Sequence, residues 1–598
     1  MSEDKKSIFS PTVTFKNLFK KPETVKYPKN SKETAKRYRG FHINDLDKCI
    51  GCGTCAEICD NKAIDMVQLA DVKTELGQRD ERPKIDYGRC CWCGLCVDVC
   101  TTGSLEFTQD YTYIDKDPDT FAYIPDHRNI NKVEFEVGYE RDDVSELLDL
   151  DRVEMEELDP EKRVDSFVEI VQGFSKEQAE KEASRCVECD ICTEACPASM
   201  NIPEYIRGIF DEDLDESLKQ IYEDNPLPEV CGRVCTHKCE TICSIGHRGE
   251  PISIRWLKRY AVDNVDSAEY QKVLGTEKID QIDKEVAIIG AGPAGLSAAH
   301  YLRLMGYQIT VYESEEKAGG MMRYGIPEYR LPYEQLDKDI NYIKELGVEF
   351  VFNTRVGEDI SMQEIEDNYD AVFAATGLHN GRSTRIPGTE HNNVYQAIYL
   401  LKQITKGKEV PVTERIVVIG GGNVAMDIAR SLARIQKQEF GDVDVLVTSL
   451  ETEDIMPADQ EEIEEAREEG VRFEPGRGPK EIVVNEDGSI SQLCTNCCVS
   501  VFDDERNFNP SFDNDDIKNF DCDMVVEAIG QGGDNSYIDD NYDIEYEGPR
   551  IKVDEEQQTS LPWLFAGGDI VQGPDVITGI KTGHDAAVGI DKYLRGEK

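Results

Sequence analysis

The stretch Val286–Glu313, VAIIGAGPAGLSAAHYLRLMGYQITVYE, decides how the rest of the chain is read. An apolar run of strand length, VAIIG, leads straight into Gly290-x-Gly292-x-x-Gly295. A helical pattern follows from Pro293 to Met305, and a second apolar run ends on Glu313, 23 residues past Gly290. Glycines at this spacing allow a tight turn and a close backbone approach to a pyrophosphate at the positive end of a helix. An acid closing the second strand accepts hydrogen bonds from a ribose 2′-OH. A lone GxGxxG is weak evidence, but strand, helix, strand and acid all stand where dinucleotide binding needs them.

With 598 residues the chain is too long for one core, and roughly three or four domains are expected. A hydrophobic content of 39% with 31% charged residues suits a soluble globular protein. The formal charge of −52 argues against nucleic acid as a partner. Residues 1–40 run the other way, with eleven Lys/Arg against four Asp/Glu. This basic arm holds Phe9, Phe15, Leu18 and Phe19 among lysines, and reads equally well as a docking segment for a partner or membrane surface and as a tail. No apolar signal segment and no run of about 18 apolar residues is visible, so a cytoplasmic location without a transmembrane segment is expected.

Sixteen of the 21 cysteines fall into four groups. Cys49-x2-Cys52-x2-Cys55-x3-Cys59 and Cys90-x2-Cys93-x2-Cys96-x3-Cys100 each place three cysteines on a tight loop and a fourth on the next turn. In two-cluster ferredoxins the fourth cysteine of each run serves the other cluster. The expected sets are therefore Cys49, Cys52, Cys55 and Cys100 for one cubane, and Cys90, Cys93, Cys96 and Cys59 for its neighbour. Zinc more often takes two CxxC pairs. RYRGFH (Arg37–His42), KCIGCGTCAEIC (Lys48–Cys59) and RCCWCGLCVDVC (Arg89–Cys100) resemble the two-cluster ferredoxin-like subunit of respiratory complex I, as does the lead-in SPTVTFKNLFKKPETVKYP. Asp60 and Thr101 stand where that family usually has proline. The resemblance implies an electron relay docked on a larger assembly.

Residues 111–160 are acidic and read as a linker, with a surface helix through Val144, Leu147, Leu148 and Val153. Beyond it stand Cys186, Cys189, Cys192 and Cys196, then Cys231, Cys235, Cys239 and Cys243. EASRC, CPASMNIPEYI, NPLPEVCGRVC and EPISI resemble the helical iron–sulfur domain of the glutamate synthase small subunit, shared with the N-terminal half of dihydropyrimidine dehydrogenase. That resemblance implies one cluster on Cys186, Cys189, Cys192 and Cys243, and another on Cys196, Cys235 and Cys239. The family commonly completes the second with Glu or Gln, where this chain has Lys258. Cys231 is the obvious substitute; otherwise the position is open.

GGMMRYGIPEYRLP (Gly319–Pro332) resembles the same family, as do AVFAATG (Ala371–Gly377), DMVVEAIGQ (Asp523–Gln531) and LFAGGDIVQGPDVITGIKTGHDAA (Leu564–Ala587). The implied FAD residues are Gly290, Gly292, Pro293, Ala294, Gly295, Glu313, Gly320, Arg323, Gly325, Ala375, Thr376, Gly377, Gly568 and Asp569. A second fingerprint, RIVVIGGGNVAMDIAR (Arg415–Arg430), offers Gly420, Gly422, Asn423, Val424 and Ala425 to a pyridine nucleotide. NADP-using members carry paired arginines where Leu450 and Glu451 stand here. An acid suits the free ribose 2′-OH, so NAD(H) is expected over NADP(H). Cys494, Cys497, Cys498 and Cys522 lie outside the resemblance and read as sheet cysteines, a redox dithiol or a metal site.

The expected fold is multidomain α/β. A basic arm (1–40) precedes a two-[4Fe-4S] ferredoxin-like domain (41–110), the linker (111–160) and a helical double-cluster domain (161–280). Two nested Rossmann-like domains follow, one for FAD (281–395 and 520–598) and one for NAD(P) (396–519). The expected function is hydride exchange between NADH and FAD, with single electrons relayed through about four [4Fe-4S] clusters. The far partner would be ferredoxin or other subunits of a hydrogenase, a dehydrogenase or a respiratory-type assembly. The alternatives are the small subunit of a glutamate synthase and a non-catalytic relay scaffold. Hydride transfer needs positioning more than acid–base help, so no catalytic acid or base is named. His379 and Arg323 are the side chains worth testing.

Overall fold

The computed structural model describes residues 15, 17–26, 29–30, 32–70, 72, 74–111, 113–125 and 137–597. Phe9 and most of the basic arm's first half lie outside them, so its docking reading is not addressed; Phe15, Leu18 and Phe19 are exposed. The chain divides into two compact units. The first comprises Met1–Leu150 with Val187–Cys189 and Ser244–Glu250, and the second comprises the remainder.

In the first unit, His42–Asn44 pairs antiparallel with Leu105–Phe107. Ile64–Gln68, Glu81–Asp86 and Ala122–Tyr123 form a three-stranded antiparallel sheet. Each cysteine loop runs into a single helical turn, Thr54–Glu57 or Leu95–Asp98, entered through Gly53 at φ 80° or Gly94 at φ 97°. Those left-handed conformations fall to glycine because a Cβ would clash there. Phe41, Ile85, Tyr87, Val97, Leu105 and Phe107 fill the core. The surface helix expected around Val144–Leu148 does not form. Asp142 and Ser145 instead bond each other's backbone N–H groups, a local pairing that competes with the helix. Val144 is left 96% exposed while Leu148 is buried.

The second unit begins with helices. Lys176–Ser184 opens on a capping box between Ser175 and Gln178. Ile202–Phe210 buries Ile202, Tyr205, Ile206 and Ile209, the spacing of one helix face. Pro228–Val234 packs on Ile254–Asp263 so closely that a Cβ on Gly232 would lie 2.9 Å from Arg259 Cα.

Two five-stranded parallel sheets follow. The first runs Leu564–Ala566, Ala371–Ala374, Glu285–Ile289, Gln308–Tyr312, Glu349–Val351. The second runs Val394–Gln396, Met524–Glu527, Ile416–Ile419, Val445–Thr448, Arg472–Glu474. In both, the fingerprint strand is central and buried on both faces, which explains the unbroken apolar runs. One expectation is corrected here. Asp523–Gln531 was assigned to the flavin domain, but Met524–Glu527 pairs with both Val394–Gln396 and Ile416–Ile419 of the second sheet. A strand buried on both faces reads alike in either sheet, so composition could not place it. Gln531–Gly532 then pairs with Asn380–Gly381 as the chain returns.

Arg477–Val484, Ile490–Phe502 and Phe508–Asp521 form a separate antiparallel sheet. Cys494, Cys497 and Cys498 lie on its middle strand, and Cys522 is buried just past its end. Among the described residues, no helix is long and apolar enough to cross a membrane.

A buried ionic network ties Arg163, Arg430 and Arg434 to Glu469. Glu469 bonds Arg430 at 2.8 Å and Arg434 at 2.6 Å. Burial pushes its carboxyl up, but the two guanidiniums outweigh that and hold it at about 2. The stabilisation is therefore complete above the usual pKa near 4.5 and lost as pH falls from there through about 2. Glu469→Gln is expected to cost about 3–5 kcal/mol, because Arg434 loses its ion pair while Arg430 keeps Glu462 and Glu465 and Arg163 keeps Glu157 and Glu468. It should also flatten the loss of thermal stability below pH 4.5, measured by calorimetric melts across pH 2–7.

Candidate functional site

One cavity of about 400 Å³ in the second unit joins both fingerprints. Gly290 turns at φ 102°, and a Cβ there would lie 2.5 Å from Ala375 O. A Cβ on Gly295 would lie 1.9 Å from Gly290 O, so helix Pro293–Leu304 can pack on its strand only with glycine at that position. Gly292, by contrast, faces open space, with Gly320 Cα 4.0 Å from its would-be Cβ. The Glu313 carboxylate is held by the N–H groups of Ala291 and Glu315, each at 2.9 Å. It lies at the cavity wall, placed for a ribose.

Gly290, Gly292, Pro293, Ala294, Glu313, Gly320, Gly325, Ala375, Thr376, Gly377, Gly568 and Asp569 all line the cavity. Gly295 and Arg323 do not. Gly295 serves packing, and Arg323 is buried with Ala318 O and Asp337. Burial and the nearby Asp575 push the Asp569 carboxyl up to about 6. His379 lines the wall with a ring nitrogen 2.8 Å from Thr376 O. Burial lowers its pKa, opposed chiefly by the Glu313 carboxylate.

From the second fingerprint, Asn423 and Val424 reach the same cavity. Gly420 at φ 150° passes under Ala528, and Asn423 is fixed by a two-way pairing with Asp459 at 2.8 and 3.0 Å. Gly420, Gly422, Ala425 and Glu451 lie outside the lining. Glu451 Oε2 is nevertheless 3.0 Å from where a Cβ on Gly421 would sit. Sequence reading missed Arg330 and Asp427. Both line the cavity and are joined at 2.8 Å, and Arg330 also reaches Glu462 at 2.6 Å. They lie inside the quoted motifs, where an Arg–Asp pair across two domains was the available signal. Val234 and Thr236, flanking Cys235, also belong to the wall, and Thr236 Oγ1 donates to Asp575 Oδ2 at 3.1 Å.

In the first unit, Cys55 is surrounded electrostatically by Cys52, Cys96, Cys100 and Cys49. Cys96 faces Cys90, Cys93 and Cys59, and these four line a cavity of about 150 Å³. Thr54 Oγ1 donates to Cys52 Sγ at 3.3 Å, while the N–H groups of Ala63 and Trp92 donate to Cys59 and Cys90 at 3.4 Å. His42 Nε2 pairs with Cys96 Sγ at 3.4 Å. Burial pushes Cys100 up, but hydrogen bonds from Leu105, Ser104 and Thr102 hold it below its ordinary value. Thiols gathered with sulfur-directed donors fit the chemistry of cubane ligands. Among the described residues no three His, Cys, Asp or Glu gather as for a single ion, but a cubane spreads its thiolates over four irons rather than one.

Of the remaining cysteines, Cys189 belongs to the first unit, where it lies within electrostatic reach of Cys52. Cys186, Cys192 and Cys243 belong to the second. Cys196, Cys235 and Cys239 line one small cavity together with Lys258, and Cys231 does not reach that wall.

These features define a flavin- and pyridine-nucleotide-dependent iron–sulfur oxidoreductase. Residues 284–587 match the pyridine nucleotide-disulphide oxidoreductase family, 163–270 the 4Fe-4S domain II of dihydropyrimidine dehydrogenase, and 48–104 the 4Fe-4S dicluster domain. The chain is 32% identical to the glutamate synthase [NADPH] small chain of Escherichia coli over 75% of its own length and 99% of that protein. It is 37% identical to the NADP(+)-dependent formate dehydrogenase subunit beta of Moorella thermoacetica, and 35% to the NADPH-Fe(3+) oxidoreductase subunit beta of Geobacter sulfurreducens. Those two matches cover 68% of this chain but only 60% and 64% of the relatives. The chain belongs to the glutamate synthase small-chain family of FAD- and NAD(P)-dependent iron–sulfur oxidoreductases, with a two-cluster ferredoxin domain ahead of it.

The glycine contacts separate two roles. Gly295→Ala is expected to lower stability by about 1–3 kcal/mol through overpacking. Gly292→Ala should leave the melting temperature of FAD-free protein unchanged while weakening FAD retention, read from flavin absorbance after gel filtration.

Proposed function

We propose that this chain is an NADH-linked electron-entry subunit. It exchanges a hydride between NAD(H) and FAD and relays single electrons through its clusters to or from ferredoxin or a larger redox complex. The observation that carries the nucleotide choice is Glu451. Its carboxylate stands against the Gly421 turn of the second fingerprint, where it accepts from a free 2′-OH and repels a 2′-phosphate. NADPH appears in the names of several relatives, and the acid at this position sets the present chain apart from the arginine-bearing pattern.

FAD supplies the two-electron to one-electron conversion when bound. The protein's part is positional. Asn423 and Val424 bring the nucleotide loop to the cavity that holds the flavin cradle, and Val234 and Thr236 on its wall flank Cys235, which lines the neighbouring small cavity. The ferredoxin domain supports a relay over a glutamate synthase subunit, and the open nucleotide cavity supports an enzyme over a scaffold. Cys49, Cys52, Cys55 and Cys100, and Cys59, Cys90, Cys93 and Cys96, are the proposed ligand sets of the ferredoxin domain.

Stopped-flow bleaching of the flavin tests the reading. NADH should reduce the holoprotein at least tenfold faster than NADPH at equal concentration, and Glu451→Arg should shift that ratio toward NADPH by tenfold or more, about 1.4 kcal/mol. Faster reduction by NADPH in the wild type would sink the NADH assignment, and no bleaching with either would favour the scaffold.

A further inference from the structure

We propose that the position lined by Cys196, Cys235, Cys239 and Lys258 holds a three-iron [3Fe-4S] cluster, with the Lys258 ammonium taking the place of a fourth ligand. The inference rests on the iron–sulfur reading of this helical domain and concerns which cluster it builds.

The donor set comes first. The small cavity, about 20 Å³, has three thiols on its wall and no carboxylate, imidazole or fourth thiol. Its other polar or sulfur groups are already engaged: Thr236 and Lys238 with Asp575 at 3.1 and 3.3 Å, the Tyr205 hydroxyl with Ile254 O at 3.3 Å, and the Met200 thioether with Asn225 Nδ2 at 3.7 Å. Each iron of a cubane needs a donor with a lone pair, and an ammonium has three N–H donors and none to give. Three thiolates satisfy a three-iron cluster completely. Its open face presents bridging sulfides, which accept hydrogen bonds from such a group.

Cys231 is the obvious rival, and the structure sets it back. It is fully buried one helical turn before Cys235 and does not line the cavity.

Lys258 itself points to a negatively charged occupant. It is 5% exposed, and among the described residues its ammonium has no ion pair or hydrogen bond. An unpaired buried ammonium is tolerated only where anionic groups compensate it. Thiolates and sulfides of a cluster supply that charge. Such a cluster takes or returns one electron with no bond made or broken.

Iron and sulfide analysis with electron paramagnetic resonance of the full-length, anaerobically purified holoprotein tests the assignment. An oxidised three-iron cluster is paramagnetic, whereas an oxidised [4Fe-4S] cluster is not. Oxidised wild type should show the three-iron signal. Lys258→Glu and Lys258→Cys supply a donor and should abolish it with a gain of one iron per chain, flavin content reporting that the variant folds. Lys258→Met should keep the signal and lower the potential of that cluster, and Cys231→Ala should keep it unchanged. The proposal is overturned by a silent oxidised wild type, by a signal that persists in both donor variants, or by its loss in Cys231→Ala. Absence of iron from this domain altogether would instead refute the iron–sulfur reading on which the proposal stands.

Discussion

One carboxylate holds the second unit's chemistry together. Asp575 accepts from Thr236 at 3.1 Å and from Lys238 at 3.3 Å, and also caps helix Val576–Arg595 through Ile577 N–H. That helix packs on the fingerprint helix Pro293–Leu304 so tightly that a Cβ on Gly583 would lie 2.3 Å from Ala294 O. The cysteine segment is thereby fixed against the flavin cradle through rigid parts on both sides. Val234 lines the large cavity, Cys235 the small one, and Thr236 both. Electron tunnelling weakens steeply with distance, so a wall one helix end and one residue thick, Val234–Thr236, is an economical one. It keeps nucleotide and solvent away from the thiols yet adds little separation.

The nucleotide domain is held by a different device. Arg330, on the loop before helix Tyr333–Glu345, bridges Asp427 and Glu462, which belong to two helices of the nucleotide domain. Burial and neighbouring Glu462 push Asp427 up to about 6 against the pull of Arg330. Such networks yield little stability over apolar packing, yet breaking one side is costly. That suits a joint required to hold one orientation. Asn423 and Asp427, three and seven residues past Gly420 on one helix, meet the cavity only if this joint is in place.

Much of this was legible because each domain carries its signal locally. The glycine fingerprints, Glu313 and the cysteine runs are short motifs whose chemistry needs fixed spacing. The structure adds the cross-strand information that spacing lacks. Met524–Glu527 belongs to the second sheet because of which strands it meets, not what it is made of. The helix expected near Val144 lost to a two-residue contest between Asp142 and Ser145 that periodicity does not count. Arg330 and Asp427 were in view within their motifs, but their meaning depends on a contact across 97 residues of chain. Cys231 fails as a wall residue for a related reason. Its spacing from Cys235 is that of one helical turn, which shares a face without fixing which cavity a thiol reaches.

The two units also treat sulfur differently, and electrostatics gives that a consequence. At the ferredoxin-type thiols the groups that bond sulfur itself are neutral, namely backbone N–H groups, Thr54, Ser104 and His42, while the cations Arg39, Arg141 and Arg248 bond the backbone carbonyls of the cysteine loops. Beside Cys235 the same small cavity holds a buried lysine, Lys258, on its wall. Every electron added to a cluster adds negative charge to a chain already at −52, which disfavours reduction throughout. Most of that charge is solvent-exposed and screened within about 10 Å at ordinary ionic strength. A buried ammonium is screened far less. Local charge at Lys258 therefore weighs more on the cluster proposed beside it than the distant surface charge does, and it favours that cluster's reduced state.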